Sequence, residues 1–238
     1  MGEDKAERRW RAVRDCERIL SGRCPQTPRE QLAALAGSGH DLDGRADIYG
    51  DGPVAALEDR VAMLLGLPAA AFFPTGTMAQ QVALRCWAER SGNWAVAMHP
   101  LNHPEVHERQ AYAVLTGLRA VWPTRQPRQP TADEVRKLDE PLGTLFLELP
   151  LRDAGYLLPT WDGLTEPAGA ARERGARVHL DGARLWESTS HLGHGLPEIA
   201  GLADSVYVSF YKTLGGLSGA ALAGPDDLIK QAKAWRHR

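Results

Sequence analysis

Two charged residues stand just beyond neighbouring apolar stretches of this chain, about thirty positions apart. Asp181 follows the stretch 178–180, and Lys212 follows the stretch 205–210. A lysine amine can hold an aldehyde as a Schiff base, and a buried carboxylate can keep a pyridine nitrogen protonated as an electron sink. The pair is therefore suited to pyridoxal phosphate chemistry. Neither residue is specific alone, because an Asp that ends a strand is ordinary in α/β proteins and a Lys after a strand is usually a solvated charge.

A third element with a chemical use precedes this pair. A short buried strand is predicted at 70–73, and a helix-like stretch follows at 78–85. The loop between them contains Thr75, Gly76 and Thr77. Backbone N–H groups at a helix N-terminus bind anions, so this loop is suited to the cofactor's phosphate, whereas a threonine that only caps the helix is the alternative. The chain order of phosphate loop, Asp181 and Lys212 favours the phosphate site.

Longer stretches of the chain share the pattern of a known family. They lie at 48–53, 73–78, 178–185, 209–219 and 230–236. In these stretches the chain resembles the low-specificity threonine aldolases and the related β-eliminating lyases, which are pyridoxal phosphate enzymes of the aspartate-aminotransferase-like fold. The resemblance runs from about Asp47 to the C-terminus. Its strongest part is His-Leu-Asp-Gly-Ala-Arg at 179–184 together with Lys212 at its later position. It implies the large domain of fold type I, an α/β fold with a mostly parallel seven-stranded sheet flanked by helices.

The resemblance also implies roles for individual residues. Lys212 would be the catalytic Schiff-base lysine, and Asp181 would be the partner of the pyridinium nitrogen. Arg184 would lie near the phosphate or near the substrate carboxylate. The cofactor phosphate would be held by Thr75, Gly76 and Thr77. The implied cofactor is pyridoxal 5′-phosphate, the implied substrate is an amino acid, and no metal is expected.

A histidine is expected to stack on the cofactor ring in this family. His103 is the best candidate, because counting back from a predicted strand at 113–116 places it where the family's histidine stands. The resemblance thus implies that His103 contacts the cofactor and is the second catalytic residue. His99 and His107 flank it, and either takes the role if the local alignment is shifted.

Two departures concern the residues that recognise the substrate. Family members usually have Glu-Asn-Thr-His after the central strand, and that histidine handles the proton of the substrate hydroxyl. Here the stretch 148–151 reads Glu-Leu-Pro-Leu, and leucine cannot act as a base. The family's N-terminal Arg-Ser-Asp-Thr pattern is replaced by 20–27. We predict threonine aldolase-like cleavage of β-hydroxy amino acids to glycine and an aldehyde, with β-elimination from β-substituted amino acids and a non-catalytic paralogue as alternatives.

The extent of the chain is a third departure. Members of the family generally continue into a small C-terminal domain, whereas this chain ends within a basic helix. We predict an N-terminal helical segment at 1–46 and the cofactor-binding large domain at 47–225. The range 226–238 is predicted to be the start of a helix that leads to a missing C-terminal domain. The family's active sites lie at a two-fold interface, so the resemblance implies a homodimer or a homotetramer.

The composition is that of an ordinary globular enzyme. Apolar residues make up 43% of the 238 residues, charged residues 24%, and the net charge is −2. A nearly neutral chain is not expected to bind nucleic acid or an anionic membrane. The longest apolar stretch, 61–73, is shorter than the roughly 20 residues of a membrane span, and we expect no secretory signal because the first residues are charged with no apolar stretch. Three dispersed cysteines indicate a reducing, cytoplasmic location rather than disulfides or a metal site.

Helix and strand patterns alternate along the chain, as a mostly parallel sheet with crossover helices requires. Capping-box patterns predict helices that begin at 27–30 and at 131–134. Apolar residues at helical spacing predict a helix at 54–65 that ends at Gly66. Strands are predicted at about 70–73, 94–98, 112–116, 119–122, 144–149, 178–180, 205–210 and 219–223.

Overall fold

The computed structural model describes residues 4–19, 24–39, 44, 47 and 50–237. Two pieces of the stretches discussed above, 20–23 and 48–49, lie outside the described residues. In chain order the described elements are α1 (Lys5–Arg14), α2 (Pro28–Ala36), α3 (Pro53–Leu65), β1 (Ala69–Phe73), α4 (Gly76–Ser91), β2 (Ala95–Ala97), α5 (His103–Val106), α6 (Ala111–Val114), β3 (Arg119–Val121), α7 (Ala132–Arg136), β4 (Thr144–Glu148), α8 (Trp161–Glu173), β5 (Arg177–Gly182), α9 (Leu185–Leu192), α10 (Leu196–Ala200), β6 (Ser205–Ser209), β7 (Ala220–Gly224) and α11 (Asp226–Arg236). None of these helices is long and apolar enough to cross a membrane.

One seven-stranded sheet forms the centre of the structure, in the order β1-β7-β6-β5-β4-β2-β3. The pairs β3–β2, β2–β4, β4–β5 and β5–β6 are parallel. Strand β7 runs antiparallel to both of its neighbours, β6 and β1. The predicted mostly parallel α/β sheet is therefore confirmed.

The central strands are buried because helices cover both faces of the sheet. Every residue of β4, β6 and β7 is buried. The register places Glu148, the last residue of β4, beside Asp181 of β5, and Asp181 beside Tyr207 of β6. The carboxyl ends of the parallel strands thus meet at one edge of the sheet, which is where ligands bind in open α/β folds.

Most of the predicted local structure is confirmed. Both predicted capping boxes are present, at Thr27 with Glu30 and at Thr131 with Glu134. Helix α3 ends where predicted, because Gly66 has a left-handed φ of 63°. Seven of the eight predicted strand regions coincide with a strand of the sheet.

The strand predicted at 112–116 is wrong, because this segment contains the short helix α6. Tyr112 is buried, whereas the following apolar residues Val114 and Leu115 are 77% and 73% exposed. The apolar run therefore has one inward residue rather than an alternating inward face. Gly117, with a φ of 69°, then turns the chain into β3.

A buried carboxylate attaches the last helix to the sheet. Glu58 of α3 accepts hydrogen bonds from Phe72 N–H at 2.8 Å, from Lys233 Nζ at 2.5 Å and from Arg236 Nη1 at 2.9 Å. Arg236 also donates to the Phe72 carbonyl oxygen at 3.0 Å. Because two cations and a backbone N–H compensate the buried charge, the cluster fixes α11 against α3 and β1.

Candidate active site

A small cavity opens at the carboxyl ends of β4 and β5, and we call it the strand-end cavity. Its lining residues are His103, Glu148, Leu149, Pro150, Arg152, Asp181, Ala183, Arg184 and Lys212. Four of the residues predicted from the sequence are thus brought together in space although the chain separates them by as many as 109 positions, from His103 to Lys212.

Asp181 is a buried carboxylate with little local compensation. It is 1% exposed, and its Oδ1 accepts a hydrogen bond from Ala183 N–H at 3.0 Å. Burial raises the pKa of Asp181, and the nearby positive charge of Lys212 opposes that rise. A cationic group placed against this carboxylate would favour its ionised form, because an opposite charge lowers the pKa of a carboxyl group.

Lys212 lies in the loop that follows β6 and is half-buried. Its Nζ lies 5.9 Å from the ring centroid of Tyr207 and 5.7 Å from that of Tyr211. Within the described residues it forms no hydrogen bond or ion pair. Burial lowers the pKa of Lys212, and Asp181 opposes this effect. A lowered pKa increases the fraction of neutral amine, which is the nucleophilic form.

The two groups fit pyridoxal phosphate. Asp181 and Lys212 line the same cavity, carry opposite charges and do not pair with each other in the described structure. A bound ring with an aldehyde and a protonated nitrogen would satisfy both at once, because the amine takes the aldehyde and the carboxylate takes the N–H.

The predicted phosphate loop forms the N-terminus of α4. Thr75 Oγ1 accepts a hydrogen bond from Met78 N–H at 3.2 Å, so Thr75 is the helix cap. A Cβ at Gly76 would lie 1.9 Å from the Tyr207 hydroxyl oxygen, so only glycine fits there. Tyr207 is also the residue whose ring lies beneath Lys212 Nζ, which places this helix terminus beside the lysine. Thr77 is half-buried, and phosphate binding by this loop remains a proposal.

His103 is the first residue of α5 and is held at both its backbone and its ring. Its N–H donates to Glu148 Oε2 at 2.7 Å, and its Nδ1 lies 3.1 Å from Glu108 Oε1. The hydrogen bond with Glu108 raises the pKa of His103. The other carboxylate oxygen of Glu108 accepts a hydrogen bond from Gln81 Nε2 of α4 at 2.9 Å.

The two flanking histidines lie outside the cavity lining. His99 is buried, with Nε2 2.6 Å from the Gln126 carbonyl oxygen, and burial lowers the pKa of His99. His107 Nε2 lies 2.8 Å from Asp153 Oδ2 and 2.7 Å from Arg152 Nη1. Among these three histidines, the cavity therefore selects His103 as the candidate for contact with a cofactor.

Sequence reasoning missed two carboxylates of this site. Glu108 lies in an irregular turn and is buried where Gln81 of α4 donates to it, so no sequence periodicity marks it. Glu148 ends β4 and accepts hydrogen bonds from His103 N–H, from Arg152 N–H at 3.2 Å and from Asn102 Nδ2 at 3.2 Å. Burial, with a contribution from Asp181, raises the pKa of Glu148 to about 7. The sequence pattern that could have identified Glu148 is a charged residue at the end of an apolar strand.

Glu108→Gln is expected to lower the pKa of His103, because burial, which lowers it, remains while the charge-assisted hydrogen bond is lost. The pKa of His103 is raised above its ordinary value of 6.5. The interaction of protonated His103 with Glu108 therefore stabilises the fold fully below pH 6.5, and progressively less as pH rises through the pKa of His103 in the folded protein. Histidine titration by NMR and the pH dependence of the free energy of unfolding measure both effects.

Glu105→Gln is the matched control for this change. Glu105 lies three residues before Glu108. Its side chain accepts hydrogen bonds from Tyr112 and Trp122 and forms none with His103 in the described structure. The control should leave the His103 titration unchanged. A His103 titration that is the same in Glu108→Gln and in the wild type would show that Glu108 does not control the histidine.

The sheet order and the strand-end cavity define the large domain of a pyridoxal phosphate-dependent α/β enzyme. The sequence profile of the beta-eliminating lyase family matches residues 31–238. The low specificity L-threonine aldolase of Escherichia coli strain K12 is 35% identical over 202 residues, which are 80% of this chain and 58% of that protein. Aldolase vrtJ of Penicillium aethiopicum is 32% identical over 216 residues, which are 87% of this chain and 54% of that protein.

A solved structure agrees with these relatives. A Listeria monocytogenes EGD-E protein, provisionally described as an L-allo-threonine aldolase, is 40% identical with a TM-score of 0.88. This match covers 96% of the present chain and 64% of the Listeria chain. The chain belongs to the beta-eliminating lyase family, whose members depend on pyridoxal 5′-phosphate. The predicted family, fold type and cofactor are therefore confirmed.

The chain spans 58% of the length of the Escherichia coli relative and 64% of the Listeria chain. The activity, substrates and partners of the whole protein are therefore proposals, made below.

Proposed function

We propose that the protein containing this chain is a lyase that breaks the Cα–Cβ bond of β-hydroxy amino acids, giving glycine and an aldehyde. The observation that carries the proposal is the convergence of Lys212, Asp181, His103 and Arg184 on the strand-end cavity. Membership of the family and the 35% identity to a threonine aldolase support the same reaction.

The cofactor supplies, when bound, an aldehyde for the substrate amine and a ring that accepts the electron pair of the broken bond. In the proposal, Lys212 Nζ would hold the cofactor through its aldehyde, and Asp181 would keep its ring nitrogen protonated. Arg184 binds the substrate carboxylate through two parallel N–H···O bonds. His103, oriented by Glu108, takes the proton of the β-hydroxyl group. The N–H groups of Gly76 and Thr77 and the hydroxyl of Thr75 bind the phosphate.

Elimination of a β-substituent is a second candidate, and one observation favours it. Leu149 and Pro150 line the cavity beside Glu148, and neither carries a group that can accept a proton. His103 then has to serve as the acid–base residue at the substrate hydroxyl without a second histidine. A better leaving group at Cβ reduces the need for such a residue.

An assay of both reactions on one preparation separates the candidates. If the aldolase proposal is right, threonine gives glycine and acetaldehyde. If His103 is insufficient, threonine cleavage is slower by about 10² to 10⁴, the usual contribution of one positioned acid–base group, and β-substituted alanines give pyruvate and ammonia as fast or faster. Brisk threonine cleavage would exclude the elimination reading. Inactivity on both substrates with cofactor bound would favour the non-catalytic alternative.

We also propose a homodimer or a homotetramer in a reducing cytoplasm. The loop around Lys212 exposes large apolar side chains, since Tyr211, Leu214 and Leu217 are 44%, 46% and 62% exposed, which is typical of a surface that a second subunit covers. The three cysteines are free thiols, as a reducing location requires. Sedimentation that shows only monomer with cofactor bound would contradict the assembly.

A further inference from the structure

The strand-end cavity contains one arginine more than the proposed reaction uses. Arg152 and Arg184 both line it together with Lys212. Burial is the main cause of the lowered pKa of Lys212, and the positive charges of Arg184 and Arg152 lower it further. Arg184 suffices for the α-carboxylate of an amino acid, because one guanidinium binds one carboxylate in a bidentate manner.

Arg152 is held in place by the residues around it. Its Nη1 lies 2.7 Å from His107 Nε2 and 3.9 Å from Asp153 Oδ2. A hydrogen bond with the side chain of Tyr156 raises the pKa of Arg152. The guanidinium of Arg184 lies over the ring of the same tyrosine, with its Cζ 5.0 Å from the ring centroid. The two arginines are therefore arranged around Tyr156, which has a left-handed φ of 61°.

The charges that line the cavity do not balance. Its fixed cations are Arg152, Arg184 and Lys212, and its anions are Asp181 and Glu148. Glu148 is already engaged with three N–H donors, and Asp181 faces the pyridine nitrogen in the proposed function. An amino acid with a single carboxylate would pair with Arg184 and offer no anion to Arg152, whose nearby Asp153 Oδ2, 3.9 Å from its Nη1, lies outside the cavity lining.

We propose that Arg152 binds a second carboxylate on the substrate, so that the site prefers β-hydroxy amino acids with an acidic group at Cβ. This inference rests on the proposed function and specifies its substrate class. For 3-hydroxyaspartate, the β-hydroxyl oxygen loses its proton as the Cα–Cβ bond breaks, and Cα takes up a proton. The products are glycine and glyoxylate, and no oxidant or reductant is needed.

The direct test compares the binding of aspartate and asparagine to the cofactor-loaded protein by calorimetry. The two ligands have nearly the same size, neither has a β-hydroxyl group, and they differ in charge at the second group. We expect aspartate to bind about 10- to 100-fold more tightly, as one charge-assisted hydrogen-bond pair provides. Equal affinities in the wild type, or no measurable binding of either ligand, would overturn the proposal without any variant.

Arg152→Gln should abolish this preference while leaving asparagine binding within a few-fold of the wild type. Arg152→Lys keeps the charge without the bidentate geometry and should retain part of the preference. The matched control is Arg136→Gln, which removes an exposed arginine that pairs with Glu173 outside the cavity. An equal loss of affinity for both ligands in Arg152→Gln would mean that Arg152 binds a group they share, and would overturn the proposal.

Kinetics on the same proteins separate this inference from the proposed function. The ratio of kcat/KM for 3-hydroxyaspartate to that for threonine should fall about 10- to 100-fold in Arg152→Gln and stay constant in Arg136→Gln. A preference for aspartate in binding without cleavage of either hydroxy amino acid would refute the aldolase proposal and leave Arg152's role intact. Cleavage of both substrates with an unchanged ratio in Arg152→Gln would refute the inference about Arg152 alone.

Discussion

Lys212→Ala is expected to abolish covalent attachment of pyridoxal phosphate. Wild-type protein should show the visible absorbance of a lysine Schiff base, and borohydride reduction should fix the label on the peptide that contains Lys212. The variant should show neither, because no other described lysine lines the strand-end cavity. Turnover should fall by at least about 10⁴, since the lysine is both the attachment point of the cofactor and a proton carrier.

Lys230→Ala is the matched control, because Lys230 is an exposed residue of α11. It should keep the absorbance, the label and the activity of the wild type. The same spectrum and the same labelled peptide in Lys212→Ala and in the wild type would refute the assignment of Lys212.

Asp181→Asn is expected to retain the cofactor and to lose about 10²- to 10⁴-fold in rate. The amide keeps an oxygen that can accept the Ala183 N–H, so the local structure at the end of β5 should be preserved. It carries no negative charge, so the ring nitrogen would lose the partner that keeps it protonated. Visible absorbance measures cofactor retention, and kcat for the preferred substrate measures the loss.

Asp204→Asn is the control for the loss of a carboxylate near the same strands. Asp204 accepts hydrogen bonds from Val178 N–H and Arg177 near the opposite ends of β5 and β6, away from the strand-end cavity. Its replacement should affect stability rather than kcat. Full activity in Asp181→Asn would show that the buried carboxylate is not needed for the chemistry.

The local patterns in the sequence predicted most of the sheet. Strands β4 and β6 are buried along their whole length, so their apolar runs are unambiguous. The 112–116 segment was misassigned because its apolar residues suggest a strand although Val114 and Leu115 face outward. His103 was located by counting from that segment; it lines the strand-end cavity, and its contact with the cofactor stays a prediction.

The sequence by itself determined the pair of Asp181 and Lys212. Strand ends follow from local apolar patterns, and the carboxyl ends of parallel strands must meet at one edge of the sheet, so the two residues could be placed together without a structure. The helix that begins after Thr75 followed in the same way from its cap and spacing.

Only the tertiary structure showed which residues orient the side chains around Asp181 and Lys212. Gln81 meets Glu108 across 27 positions, and Arg152 meets His107 across 45. Each contact involves a residue of irregular backbone, Glu108 or His107, where no periodicity fixes the direction of a side chain. A carboxylate or guanidinium there looks the same in sequence whether it is solvated or buried, because burial depends on which distant helix packs over it. The packing of α4 and of the 3₁₀ turn Arg152–Ala154 around the cavity supplied that information.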